Sequence, residues 1–155
     1  MLVYRLVHRK YADSLFASGI EGRWNFAGQK VLYTAKTIAL AYLELMHQRK
    51  GLGFNDDFKI MLISIPDSAT FDEINSEKLP VDWRNFRNYA VCQTLSEEWF
   101  VRRNHLLLKV PSAVVPQNFN IVINSEHPLY KEVEIIDVLD FIPDYRLENI
   151  LKKYN

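Results

Sequence analysis

From about residue 103 onward the chain is a series of short β-prone runs with little sequence between them. Residues 106–110 end at Pro111, residues 119–123 follow closely, and residues 133–141 come after the turn signal His127-Pro128. Parallel strands need a crossover of about a dozen or more residues, usually containing a helix, whereas short loops join antiparallel neighbours. This half therefore favours antiparallel pairing. With helices flanking it, the expected fold is α+β, a mixed and mainly antiparallel sheet rather than a doubly wound parallel one.

The first half supplies the helices and the remaining strands. Residues 2–7, rich in branched and aromatic side chains, read as a strand. Residues 15–19 read as a short helix or turn leading into a glycine-punctuated loop over 19–28, and residues 31–33 read as a second strand. Thr34 or Thr37 can cap the helix that follows, which is expected to run to about Lys50 and stop at Gly51-Leu52-Gly53. Residues 58–65 make a third strand, stopped by Pro66. A second helix is expected between Asn88 and Arg102, with Trp99 in the core, and an amphipathic helix over residues 144–154. No repeat or linker divides the chain, so residues 1–155 are expected to form one domain.

Charge and composition narrow the function classes. Lys plus Arg equals Asp plus Glu at 19 each, so no overall cationic field draws a polyanion, and nucleic-acid binding is disfavoured as the main activity. Cys92 is the single cysteine, which excludes a disulfide framework within the chain and fits a cytoplasmic protein. No segment approaches the roughly 20 apolar residues of a membrane helix. His8, His47, His105 and His127 are widely spaced without cysteine neighbours, and no phosphate loop, paired CxxC or HExxH occurs, so no metal is expected.

One carboxylate is out of place. Glu44 lies within the apolar stretch Ile38-Ala39-Leu40-Ala41-Tyr42-Leu43-Glu44-Leu45-Met46, sharing the mixed face of that helix with Leu40 and His47. The positions three and four away carry no Lys or Arg, so its partner must come from elsewhere. Arg23 is the nearest candidate, either as a structural partner or as a loop guanidinium facing the same ligand; alone it also reads as a surface residue stacked on Trp24. Tyr33 at a strand end reads as a cleft residue or a core tyrosine with a bonded hydroxyl. Ser112, directly after Pro111, reads as a site residue or a turn serine. Asn118, Asn120 and Asn124 surround a strand, where amides satisfy turns or hold a ligand.

Taken in order, these pieces resemble the RES-domain family, toxins of bacterial toxin–antitoxin pairs named for Arg, Glu and Ser. The resemblance rests on Val3-Tyr4-Arg5, Gly22-Arg23-Trp24-Asn25 with Gly28, Leu32-Tyr33-Thr34-Ala35, Leu43-Glu44, Trp83-Arg84, Gln93-Thr94-Leu95 with Trp99, Val110-Pro111-Ser112-Ala113, and Asn120 through His127-Pro128. It spans roughly residues 3–140. Ser96 departs from the Gly often found after Gln-Thr-Leu, which bears on local helix geometry only.

The resemblance implies an ADP-ribosyltransferase-like fold and NAD+ as substrate, with Arg23, Glu44 and Ser112 as catalytic residues. Tyr33, Asn25 and Asn120 are then substrate-binding. Cleaving the nicotinamide–ribose bond leaves an oxocarbenium-like ribose, which a carboxylate such as Glu44 can stabilise. Nicotinamide leaves without needing a proton, so one carboxylate suffices. The acceptor is open between water, phosphate and a protein side chain. Hydrolysis or phosphorolysis is the leading expectation, protein ADP-ribosylation the alternative, and a non-catalytic ligand-binding domain the third. An RNA-cleaving toxin would need a basic groove and a convergent His pair, and neither is visible. The resemblance further implies an Xre-like helix-turn-helix antitoxin partner and leaves a homodimer open.

Overall fold

The computed structural model describes residues 1–49, 57–147 and 149. Seven strands form one sheet: β1 Leu2–His8, β2 Val31–Ala35, β3 Phe58–Ser64, β4 Phe71–Glu73, β5 Leu107–Pro111, β6 Phe119–Asn124 and β7 Glu134–Asp140. Their spatial order is β4-β5-β6-β2-β1-β3-β7, and every pairing is antiparallel except β4 with β5. The expected α+β class with a mainly antiparallel sheet is what the chain adopts. β5 and β6 form a hairpin from Leu107 opposite Ile123 to Pro111 opposite Phe119, as their short connection requires.

Among the described residues, the two α-helices that pack on the sheet are α1 Ile38–Gln48 and α2 Tyr89–Arg102. Thr37 provides the N-cap of α1, its hydroxyl accepting from the Leu40 amide at 3.1 Å, which settles the choice between the two candidate threonines. The expected stop at Gly51-Leu52-Gly53 lies outside the described residues. α2 ends on Arg103, whose φ of 53° is left-handed and whose N–H returns to the Trp99 carbonyl.

The period-two pattern of the strands sorts side chains onto two faces. On one face Tyr4 and Leu6 of β1 and Ala35 of β2 pack with Leu40, Ala41 and Tyr42 of α1. Farther along the same face, Val31, Val122, Leu108 and Val110 pack with Trp24, Trp83 and the α2 residues Cys92, Trp99 and Phe100. The opposite face carries Val3, Val7, Leu32, Met61, Ile63, Ile121 and Ile123, covered by Ala12, Leu15, Ala17, Leu129 and Tyr130 from connecting segments. Both helices thus stand on one face, with β2 between them.

Three local expectations need correction. Residues 15–19 are irregular, neither helix nor turn; Leu15 and Ala17 pack against the sheet with the exposed Phe16 between them, a period that suits extended chain. β4 was not expected: its acidic Phe71-Asp72-Glu73 forms strand only because β5 offers an open edge. After His127, the turn tightens into a 3₁₀ helix, Pro128–Glu132, started by the His127 ring accepting from the Leu129 amide at 3.1 Å. Of the helix expected over 144–154, residues 145–147 and 149 are helical, and the rest lies outside the described residues.

Candidate active site

A split in the sheet creates the cleft. β1 pairs with β3 along its whole length, from Leu2 opposite Ser64 to His8 opposite Phe58, but meets β2 only where Tyr4 faces Ala35. The two strands diverge from that point. A cleft of about 450 Å³ opens there, walled by α1, the loop before β2, the start of α2 and the β5–β6 hairpin. That volume is in the range of small-molecule sites, and Glu44, Arg23, Tyr33 and Asn120 all line it.

Glu44 has its partners, and they come from the far half of the chain. Its Oε1 accepts from Ser112 Oγ at 2.6 Å and from Asn120 Nδ2 at 2.6 Å. Ser112 is fully buried and its hydroxyl is fully used, since Oγ also accepts from the amides of Val114 at 3.1 Å and Val115 at 2.9 Å. The β5–β6 hairpin therefore grips one carboxylate oxygen with two donors, and such charge-assisted bonds are short and strong. Asn120 Oδ1 is buried and, among the described residues, has no hydrogen-bond partner. An orphaned acceptor beside a cleft is a group that a ligand or an ordered water can satisfy.

Arg23 does not bond to Glu44. Its guanidinium donates to the carbonyls of Trp83 and, at 2.9 Å, Arg84, while lying over the rings of Trp83 (5.5 Å) and Tyr89 (4.6 Å). Arg84 in turn donates from Nε to the Ala113 carbonyl at 2.7 Å. Arg23 and Arg84 thus tie the segment around residues 83–84 to both walls of the cleft. A planar guanidinium suits this because it can stack and bond in its own plane at once.

Tyr33 is held at its hydroxyl, which donates to Asn25 Oδ1 at 2.7 Å and accepts from the Trp24 amide at 3.0 Å. Burial pushes its phenol pKa well above the usual value, against the opposing pull of the Trp24 N–H and of Arg23. Asn25 is itself 1% exposed, and its Nδ2 lies within hydrogen-bond distance of the carbonyls of Ile20, Phe26 and Gln29. It stands behind the cleft wall and supports Tyr33, rather than presenting its amide to the cleft. Gln93 of α2 donates to the carbonyls of Gly22 (2.9 Å) and Asn25 (3.1 Å), docking the loop on the helix. The loop closes through the Gly28 amide to the Gly19 carbonyl at 2.8 Å, with both glycines at positive φ. Gly22 is required for space: a Cβ there would lie 2.6 Å from the Tyr33 hydroxyl.

Arg5 is a cleft residue that the sequence pattern displayed but did not single out. It sits on the Val3–Val7 face of β1, and among the described residues its guanidinium makes no hydrogen bond or ion pair. Burial lowers its pKa, with Tyr130 opposing. The signal was a lone cation within an alternating strand. Glu21 and His47 also line the cleft, both exposed and with side chains unbonded among the described residues. Among the described residues no cluster of three or more His, Cys, Asp or Glu converges as metal ligands.

Comparison with known proteins places this site in context. The family described as RES domain matches residues 2–147. A protein named Toxin Res from Photorhabdus laumondii subsp. laumondii is 31% identical over 152 residues, covering 95% of this chain and 97% of the relative. A Prs ADP-ribosylating toxin from Sphingobium sp. is 30% identical, covering 88% of each chain. Among solved structures, a chain of the M. tuberculosis MbcT–MbcA toxin–antitoxin complex superposes with a TM-score of 0.74 over 98% of this chain and 88% of its own, at 15% identity. That last likeness concerns the fold.

Proposed function

This chain belongs to the RES-domain family, and from that membership we propose that it is the toxin of a bacterial toxin–antitoxin pair that cleaves the nicotinamide–ribose bond of NAD+. The observation that carries the chemistry is the double grip of Ser112 and Asn120 on Glu44 in a cleft that also holds the cation Arg5, which has no ion pair among the described residues. When the nicotinamide–ribose bond breaks, the electron pair neutralises the pyridinium and positive charge develops on the ribose. A preorganised carboxylate stabilises that charge without reorganising at the moment of reaction. Glu44 takes this role, its second oxygen left to the substrate.

In this reading Arg5, already desolvated and with no ion pair among the described residues, binds the pyrophosphate, because a buried guanidinium gains most from an anion with two parallel acceptors. Arg23 shapes the cleft through Trp83, Arg84 and Tyr89 and presents cationic character to it. Tyr33 offers an aromatic face to the nicotinamide or adenine. Ser112 acts through Glu44: a hydroxyl that is fully buried and engaged in three hydrogen bonds is a poor nucleophile. A cytoplasmic location follows from a cytoplasmic substrate pool, and an Xre-like antitoxin is the expected partner.

The leading acceptor is water or phosphate. Protein ADP-ribosylation is the second reading, favoured by the similarity to the Prs ADP-ribosylating toxin. The test is incubation of purified protein with labelled NAD+, with and without phosphate and with a bacterial lysate. Release of nicotinamide by the wild type, its loss in Glu44→Gln, and a KM increase in Arg5→Met are expected. Full NAD+ cleavage by folded Glu44→Gln would overturn the assignment. Label appearing on free ADP-ribose, its phosphorylated form or a protein band identifies the acceptor.

A further inference from the structure

We infer that His47 takes the proton from the acceptor that attacks the ribose, an inference that rests on the NAD+-cleaving reading above. His47 follows Glu44 by three positions on α1, so their side chains leave the same helix face with Cβ atoms roughly 5–6 Å apart. Both line the same cleft. The group that stabilises the ribose cation and an imidazole therefore stand one helical turn apart, on a rigid element capped by Thr37.

Three of the other polar cleft side chains are engaged elsewhere. Glu44 is held by Ser112 and Asn120, Arg23 by two carbonyls and two rings, and the Tyr33 hydroxyl by Asn25 and Trp24. His47 is exposed at the cleft mouth, and among the described residues its ring makes no hydrogen bond. It can pass a proton to solvent after each turnover. The ionisable groups around the cleft are Glu44 on the same helix, Tyr4 and Arg5 on β1, Glu21 and Arg23 on the loop, Tyr33 on β2 and Tyr89 on α2. Of these side-chain types only imidazole ordinarily changes charge between pH 5 and 8.

The step balances simply. The nicotinamide–C1′ bond breaks and its electron pair goes to the ring nitrogen. An oxygen lone pair of water, or of phosphate, forms the new bond to C1′, and the acceptor's proton goes to the neutral imidazole of His47 and then to solvent. Neutral nicotinamide and ADP-ribose, or its 1-phosphate, leave. Glu21, also exposed and lining the cleft, is the competing base, and the experiment separates the two.

The test measures kcat and KM for NAD+ from pH 5 to 8.5 in phosphate-free buffer for wild type, His47→Gln and Glu21→Gln, with thermal unfolding confirming that each folds. Wild-type kcat should rise with pH across this interval and level off. His47→Gln should lose that rise and fall in kcat by about 10²-fold, the lower end for general-base catalysis, with KM nearly unchanged. Glu21→Gln should keep the wild-type profile. Free imidazole should restore part of the turnover of His47→Ala. Retention of the pH-dependent rise in His47→Gln, or its loss in Glu21→Gln instead, overturns the inference. Absence of NAD+ cleavage by the wild type at every pH, both without phosphate and with phosphate added, overturns the parent reading and this one with it.

Discussion

Replacing Ser112 with Ala separates a positioning role from a nucleophilic one. The change removes one oxygen that makes three hydrogen bonds in a fully buried position: the donated bond to Glu44 and the two accepted from Val114 and Val115. A hydrogen bond to a charged group is worth about 1.5–3 kcal/mol, and leaving a buried N–H unsatisfied costs about 1–3 kcal/mol. The two amides point at one vacated site that a single water can fill, so their joint penalty stays near the lower figure. The expected loss is about 2.5–4 kcal/mol in all. For a domain of this size that lowers Tm by about 5–16 °C. Activity should fall with it, by about 10²-fold, because Glu44 keeps only the Asn120 tether and a displacement of about 1 Å has that effect.

The matched control is Glu44→Gln, in which the Gln carbonyl still accepts from both Ser112 and Asn120. Its Tm should stay within a few degrees of wild type, consistent with about 1–2 kcal/mol for losing charge assistance, while NAD+ cleavage is lost. Differential scanning calorimetry and a nicotinamide-release assay on both variants provide the readouts. A Ser112→Ala protein as stable as wild type would refute the hydrogen-bond argument. Undetectable activity in that variant with Tm unchanged would point to Ser112 as a nucleophile.

Three further outcomes concern the loop before β2 and the Tyr33 hydroxyl that it bonds. Gly22→Ala should cost about 1–3 kcal/mol in urea unfolding, because its Cβ would stand 2.6 Å from the Tyr33 hydroxyl and 2.9 Å from Asn25 Oδ1; an unchanged midpoint would refute the close approach. Arg23→Lys should not substitute for Arg23, since an ammonium cannot bond two carbonyls while stacking on Trp83 and Tyr89, and faster proteolysis near residues 83–84 is the readout. Tyr33 has a raised pKa in the folded state, so above about pH 10 the unfolded chain releases a proton that the folded chain retains, and stability falls as pH rises. Alkaline unfolding should therefore be shallower in Tyr33→Phe, and an identical slope would count against burial of the phenol.

The sequence by itself determined the parts of this protein governed by local period and local sterics. Short β-prone runs bounded by turn signals placed β1, β3, β5, β6 and β7, short connections made the β5–β6 pairing antiparallel, and the apolar segment with a threonine before it specified α1. The ordered motifs identified the family, and the missing local partner of Glu44 marked it as exceptional. Where local signals were weak, tertiary context won: an acidic triplet became β4 beside β5, and residues 15–20 stayed irregular because the core needed Leu15 and Ala17 along one side.

Only the tertiary structure decided what touches Glu44. Arg23, the nearest cation in sequence, went to the Trp83 and Arg84 carbonyls, whereas the donors arrived from 68 and 76 residues away. The physical reason is strand order. Placing the β5–β6 hairpin beside β2 carries Ser112 and Asn120 to Glu44 of α1, and the parting of β1 from β2 beyond Tyr4 and Ala35 opens the space that Glu44 and Asn120 line. Periodicity records which way a side chain points, but not which distant strand will lie beside it.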